Sequence, residues 1–148
     1  MRLSAKTRYG LAALVNMAEG YEADESITVI SLSEKLKISK IYLEQVFSLL
    51  RSGGIVLSTK GAHGGYRLAK PARDISVFDI LSATEASLFE KTDETVPASN
   101  EAIEKAMRDT VFDVIDNSLK EVLARISLED ILNQAEKYKT GDNYMYYL

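Results

Sequence analysis

Hydrophobic positions recur along this chain with two different periods, and the change from one to the other locates its central unit. After Ser39, a good helix N-cap, Leu43, Val46, Phe47 and Leu50 fall at i, i+3, i+4 and i+7, one face of an α-helix. Lys40, Tyr42, Glu44, Gln45 and Ser48 are left on the opposite side, hydrogen-bonding and charged groups of the kind that read base edges and phosphates. Gly53 and Gly54 end the helix, and the β-branched run Ile55–Thr59 then reads as a strand. A Gly-rich turn, Lys60 to Gly65 with His63 inside it, leads to a second short strand over Tyr66–Leu68. Helix followed by hairpin is the order of a winged helix-turn-helix.

The flanking segments complete that unit. Ser4 predicts the cap of a first helix whose apolar contacts are Tyr9, Leu11, Ala12, Leu14, Val15 and Ala18, ending near Gly20. Ile27–Leu36 predicts a second, short helix, and only a few residues part it from the Ser39 cap, the tight turn of a helix-turn-helix. Beyond Pro71, Ser76 caps a fourth helix with Val77, Ile80, Leu81 and Thr84 on one side. The pattern lapses from Ser87 to Asn100 and reads as a loop. Asn100 then opens the longest periodic segment, in which Ile103, Met107, Val111, Val114, Ile115, Val122, Leu123 and Ile126 are separated mostly by three or four. Ser127 caps a last helix, Leu128–Tyr138, and after Gly141 the chain runs out as an aromatic tail.

The fold class expected is mainly α with a small β-hairpin wing: a winged helix-turn-helix plus a long dimerisation helix. The domain division expected is 1–85 for the DNA-binding unit, 86–99 for a loop, and 100–148 for the dimerisation helix, last helix and tail. A stripe as long as that of the Asn100–Ile126 segment exceeds what the small winged unit can cover. It meets either a second copy of itself, through Ile103, Met107, Val111, Val114, Ile115, Val122 and Ile126, or folds back on its own domain.

The net charge of −4 becomes informative once the chain is divided. Residues 1–75 carry 11 Lys/Arg against 7 Asp/Glu, and residues 76–148 carry 7 against 15, so the halves stand at +4 and −8. A basic half holding helix and wing beside an acidic half suits a DNA reader with a separate face for other contacts; a chance arrangement of solvated faces is the alternative. Lys6 and Arg8 sit in the first turn of the first helix, unfavourable to its dipole. Either a phosphate meets them together with free helix N–H groups, or they are two solvated cations.

Catalytic chemistry finds no foothold. His63 is the single histidine and lies between glycines without an acidic orienter, and the chain has no cysteine. The glycines match neither a Walker loop nor a dinucleotide fingerprint. No metal site, cofactor, disulfide or membrane span is expected, and a cytoplasmic protein is the default.

The opening MRLSAKTRYGL, the segment ISKIYLEQVFSLLRSGGIV and the wing KGAHGGYRLAKP followed by ISVFDIL resemble the Rrf2 family of bacterial winged helix-turn-helix regulators, strongly over residues 1 to about 85. The resemblance implies a homodimer that presents two recognition helices to a palindrome-like operator in double-stranded DNA. It places Tyr42, Glu44 and Gln45 where the family contacts DNA; Ser39, Lys40, Ile41, Lys6, Arg8, Lys60 and His63 complete the candidate DNA-binding set. Lys60 stands where the wing commonly has an arginine, and a lysine lacks the fork that favours a narrow minor groove. Ile41 stands where relatives are often polar; it either touches a thymine methyl or packs.

Cluster-binding members of the family place three cysteines in the loop over 87–100, and here there are none. The better match is therefore the cysteine-free branch, that of the cysteine-metabolism repressor, which implies repression of cysteine or sulfur metabolism genes. It also implies O-acetylserine sulfhydrylase (cysteine synthase) as a partner. For the tail residues Tyr144, Tyr146, Tyr147 and Leu148, docking on such an enzyme stands beside packing on the dimer. A different class of function, a protein-interaction module whose winged unit binds a partner instead of DNA, is the alternative.

Overall fold

The computed structural model describes residues 1–20, 26–61 and 64–141, and the backbone of 142–146. Helix α1 (Ala5–Glu19) starts as its sequence predicts, with Ser4 Oγ accepting from the Thr7 N–H at 3.2 Å, and ends at Gly20. Its buried face is Thr7, Gly10, Ala13, Leu14, Met17 and Ala18, so the expected stripe is rotated: Ala12 is exposed and Tyr9, Leu11 and Val15 are half-buried. Thr7 is the reason. Its hydroxyl is fully buried yet bonded to Thr84 Oγ1 at 3.0 Å, a partner 77 residues away that hydrophobic periodicity does not register.

Helix α2 (Val29–Leu36) begins two residues later than expected, because Ile27 is spent on the wing and Thr28 becomes the cap. Strands β1 (Val56–Thr59) and β2 (Gly65–Leu68) pair antiparallel with Val56 opposite Leu68, and Ile27 adds a bridge to Tyr66 through two 2.8 Å hydrogen bonds. Gly65 is needed for that approach, since a Cβ there would lie 2.5 Å from the Ile27 carbonyl oxygen. Between α2 and β1 runs α3 (Lys40–Ser52), with Leu43, Val46, Phe47 and Leu50 buried as the stripe requires. After its C-cap at Gly53, Gly54 adopts φ +75°, the left-handed conformation that glycine takes at no steric cost.

Helix α4 (Val77–Thr84) carries a full capping box between Ser76 and Asp79. The segment expected to be loop is partly ordered: Ala86–Phe89 forms a 3₁₀ turn, with Phe89 edge-on to Phe78 at 5.1 Å. The long helix exists as α5 (Glu101–Met107) and α6 (Asp113–Arg125), joined without a break by a π turn over Arg108–Phe112. Last comes α7 (Leu128–Tyr146), capped by Ser127 and Asp130, which bond each other's backbone N–H groups at 3.0 and 2.8 Å. It continues past Tyr138 and through Gly141, where a separate tail was expected. A glycine costs a helix about 1 kcal/mol. The preceding turns are held by Leu128 and Leu132 in the core and by Lys139, bonded to Glu19 of α1 at 2.8 Å.

The main core joins α1, α2, α3 and the wing, and it includes Leu128 from α7, completely buried. A second cluster of Val77, Leu81 and Leu123 takes in Leu119 and Ile126, and so fixes α6 against α4. Residues 100–148 are therefore not an appendage, since one of their leucines lies inside the winged unit. The chain is mostly helical with one two-stranded antiparallel hairpin, as the hydrophobic pattern indicates. No helix among the described residues is long and apolar enough to cross a membrane.

Candidate nucleic-acid interface

Burial of the Leu43, Val46, Phe47 and Leu50 stripe decides which side of α3 faces out. Lys40, Ile41, Tyr42, Glu44, Gln45 and Ser48 are all exposed, and Ser39 caps the helix without a side-chain hydrogen bond. Ile41, Glu44, Gln45, Ser48 and Leu49 line a shallow open groove whose far edge is Lys6 of α1, so the cation expected at a phosphate stands beside the groups expected at base edges. Lys40 and Glu44 form a 3.5 Å pair with both side chains about half exposed. Such a pair is worth little in water and is free to exchange partners.

Tyr42 is 49% exposed, yet its ring rests 5.8 Å from that of Tyr9, tilted by 50°. Tyr9, expected only as a core contact, thus braces a residue of the reading face. Phe47 does the corresponding work underneath, its ring 4.8 Å from Tyr66 of the wing, so the hairpin and the helix are joined through an aromatic contact. Lys60 is exposed at the end of the first wing strand and makes no ion pair among the described residues, as is true of Arg8 on α1. His63 lies outside the described residues.

One expectation is narrowed. Two of the N–H groups at the start of α1 are already bonded within the chain. Ser4 N–H is taken by the Glu85 carboxylate at 2.6 Å and Thr7 N–H by Ser4 Oγ. Those bonds from Ser4 hold the Glu85 carboxyl below its usual pKa. An anion reaching this end of the molecule meets the side chains of Lys6 and Arg8, and of the N–H groups at the helix start those of Ser4 and Thr7 are taken.

A second exposed feature is an apolar stripe along α5 and α6. Ile103, Val111, Val114, Ile115 and Val122 are between 44 and 59% exposed, flanked by exposed Ala102, Ala106, Thr110 and Ser118. The four-residue spacing of Ile103, Met107, Val111 and Ile115 would drift by about 40° at each step of a straight α-helix. The π turn absorbs that drift, its Asp113 N–H reaching back to the Arg108 carbonyl, and keeps the stripe on one side while Glu104 and Leu123 stay buried on another. Ile126 was expected in this stripe but leaves the helix, hands its carbonyl to Val77 N–H at 2.7 Å and packs against its own domain; Met107 is half-buried. Tyr144 and Tyr146 belong to the backbone of α7, and Tyr147 and Leu148 lie outside the described residues.

Sequence reasoning passed over Glu104. It is 9% exposed, and one of its oxygens accepts from Thr95 N–H at 2.9 Å and Val96 N–H at 3.1 Å, while Arg108 bonds the Thr92 carbonyl at 2.9 Å. Together they lay the loop over 92–96 onto α5. Its signal was an acidic residue in line with the buried face, four before an arginine.

A family model described as "Rrf2: Iron-dependent Transcriptional regulator" matches residues 3–134. Among curated relatives, the HTH-type transcriptional regulator IscR of Pectobacterium atrosepticum is 31% identical over 145 residues, 96% of this chain and 85% of that one. Among solved structures, T. potens IscR superposes with a TM-score of 0.72 at 34% identity, covering 99% of this chain and 97% of that one. CymR (YrzC), the global cysteine regulator of B. subtilis, superposes at 0.70 and 30% identity, covering 90% and 98%. The chain has no cysteine, and no three His, Cys, Asp or Glu among the described residues gather as a metal site. In fold, in the segments that carry the resemblance and across nearly its full length, the chain belongs to the Rrf2 family of transcriptional regulators.

Proposed function

We propose that this protein is a sequence-specific transcriptional repressor that binds palindrome-like operators as a homodimer. The observation that carries the reading is the division of α3, whose apolar stripe is wholly buried while Tyr42, Glu44 and Gln45 face out, with Lys6 lining one groove with Glu44 and Gln45; the wing lysine Lys60 is exposed as well. Base edges are read by groups such as Gln45, which can bond adenine bidentately, and phosphates by the lysines and Arg8.

Two copies meet, in this reading, through the face of Ile103, Val111, Val114, Ile115 and Val122. That face and its small flank carry no charge along the length of α5 and α6, in a chain of which 27% is charged. A partner of equal length and equal lack of charge is supplied by the same helix of a second copy, and two-fold pairing would match two half-sites of an operator. Genes of cysteine or sulfur metabolism are the proposed targets, supported by the fold shared with CymR and by the absence of cysteine. Nothing among the described residues favours docking on cysteine synthase or an interaction module without DNA, and neither is carried further.

The test separates the two kinds of contact. With a duplex selected from a random library, Gln45→Ala is expected to lower discrimination at particular base pairs by about 1–3 kcal/mol, while Lys60→Ala weakens selected and random duplexes alike. Unchanged sequence preference in Gln45→Ala would mean that another face of α3 enters the groove.

A further inference from the structure

Ile41 is a large aliphatic side chain at the N-terminal end of the reading face, the more exposed of the two that line its groove, with half-buried Leu49 about two turns further along α3. It occupies the second position of α3, 66% exposed, where a recognition helix brings its N-terminal residues to base edges. Packing does not explain it, because the core stripe of α3 runs through Leu43, Val46, Phe47 and Leu50 and leaves Ile41 out. Helix propensity does not explain it either, since a β-branched residue is among the weaker helix formers. Single exposed aliphatic residues are ordinary on protein surfaces. This one differs in its place: it lines the α1–α3 groove with Lys6, Glu44, Gln45, Ser48 and, at the far end, Leu49, and Gln45 follows it by one helical turn on the same face. The major groove offers one apolar feature to such a position, the C5-methyl group of thymine.

We propose that Ile41 is a thymine-methyl contact, so that each half-site carries a required thymine beside the base pair bonded by Gln45. This rests on the DNA-reading assignment above and names one base that the assignment leaves open. Methyl contact is a burial term. With a buried methylene-sized group worth about 0.8 kcal/mol, removing the methyl from one half-site costs about fourfold in affinity and from both about fifteenfold.

Deoxyuridine supplies the experiment, because it keeps the pairing and every hydrogen-bonding group of thymine and lacks only the methyl. Thymines of the selected duplex are replaced one symmetric pair at a time, and binding of the full-length protein and of Ile41→Ala is followed by fluorescence anisotropy. The expected result is one pair whose replacement weakens the wild-type protein about fifteenfold and leaves Ile41→Ala within about twofold. The proposal is overturned if no thymine responds, or if the sensitive pair stays equally sensitive in Ile41→Ala, while Gln45-dependent preference survives. A protein without preference for any duplex would overturn the DNA-reading assignment together with it.

Discussion

Replacing Ile115 with glutamate puts a charge in the middle of the proposed dimer face. Ile103, Val111, Val114, Ile115 and Val122 keep 44 to 59% of their surface in water within one chain. Full burial of such a side chain is worth about 1.5–3 kcal/mol, so each has about 1 kcal/mol still to gain, and ten of them in a dimer supply about 10 kcal/mol. That is on the scale of the cost of association, which leaves a dimer of ordinary strength and no large reserve. Ile115→Glu removes about 1 kcal/mol per copy and sets two like charges, each without a partner, into the contact. A loss of at least about 5 kcal/mol is expected, a rise of three to four decades in the dissociation constant. Sedimentation equilibrium at micromolar concentration should find the wild-type protein dimeric and Ile115→Glu monomeric, with unchanged helical circular dichroism because the site is exposed in the single chain. Asn117→Glu, exposed but off the stripe, should remain dimeric. A dimer that survives Ile115→Glu, or that Asn117→Glu dissociates equally, would refute this face.

Leu128→Ala should lower the melting temperature by about 10 °C, since a wholly buried leucine costs about 3–5 kcal/mol when truncated; an unchanged melt would show that α7 is not part of the winged unit's core. Glu85 gives a pH dependence whose sign is fixed by its lowered pKa: its contribution is present above the ordinary carboxyl value of 4.5 and is lost as pH falls through the lower folded value. Glu85→Gln should therefore flatten the acid limb of the stability curve and leave its alkaline limb alone, and an acid limb as steep as in the wild type would remove the Ser4 contact from the account.

Local rules were enough wherever an element's neighbours are adjacent in sequence. The caps at Ser4, Ser76 and Ser127, the buried side of α3 and the stop at Gly53 all follow from spacing over one or two turns. What sequence reading missed has distant partners. Thr7 is buried because Thr84 waits for it, Ile27 leaves α2 because Tyr66 of the wing pairs with it, and α7 outlasts its own glycine with Glu19 of α1 holding Lys139. At the reading face, spacing identified the outward residues, but the brace of Tyr9 on Tyr42 and the carboxylate at the start of α1 needed the fold. The π turn lies between these cases. Four-residue spacing from Ile103 to Ile115 is visible in the sequence, and a straight helix cannot keep those residues on one side.

The central claim, that the outward face of α3 and the wing bind duplex DNA, meets its most direct test in the salt dependence of affinity for a selected duplex. If Lys6, Arg8, Lys40 and Lys60 of two protomers neutralise eight phosphates, log affinity should fall against log salt with a slope of about −7, and the selected duplex should be preferred over a scrambled one throughout. A slope near zero, or equal affinity for both duplexes at low salt, would contradict it.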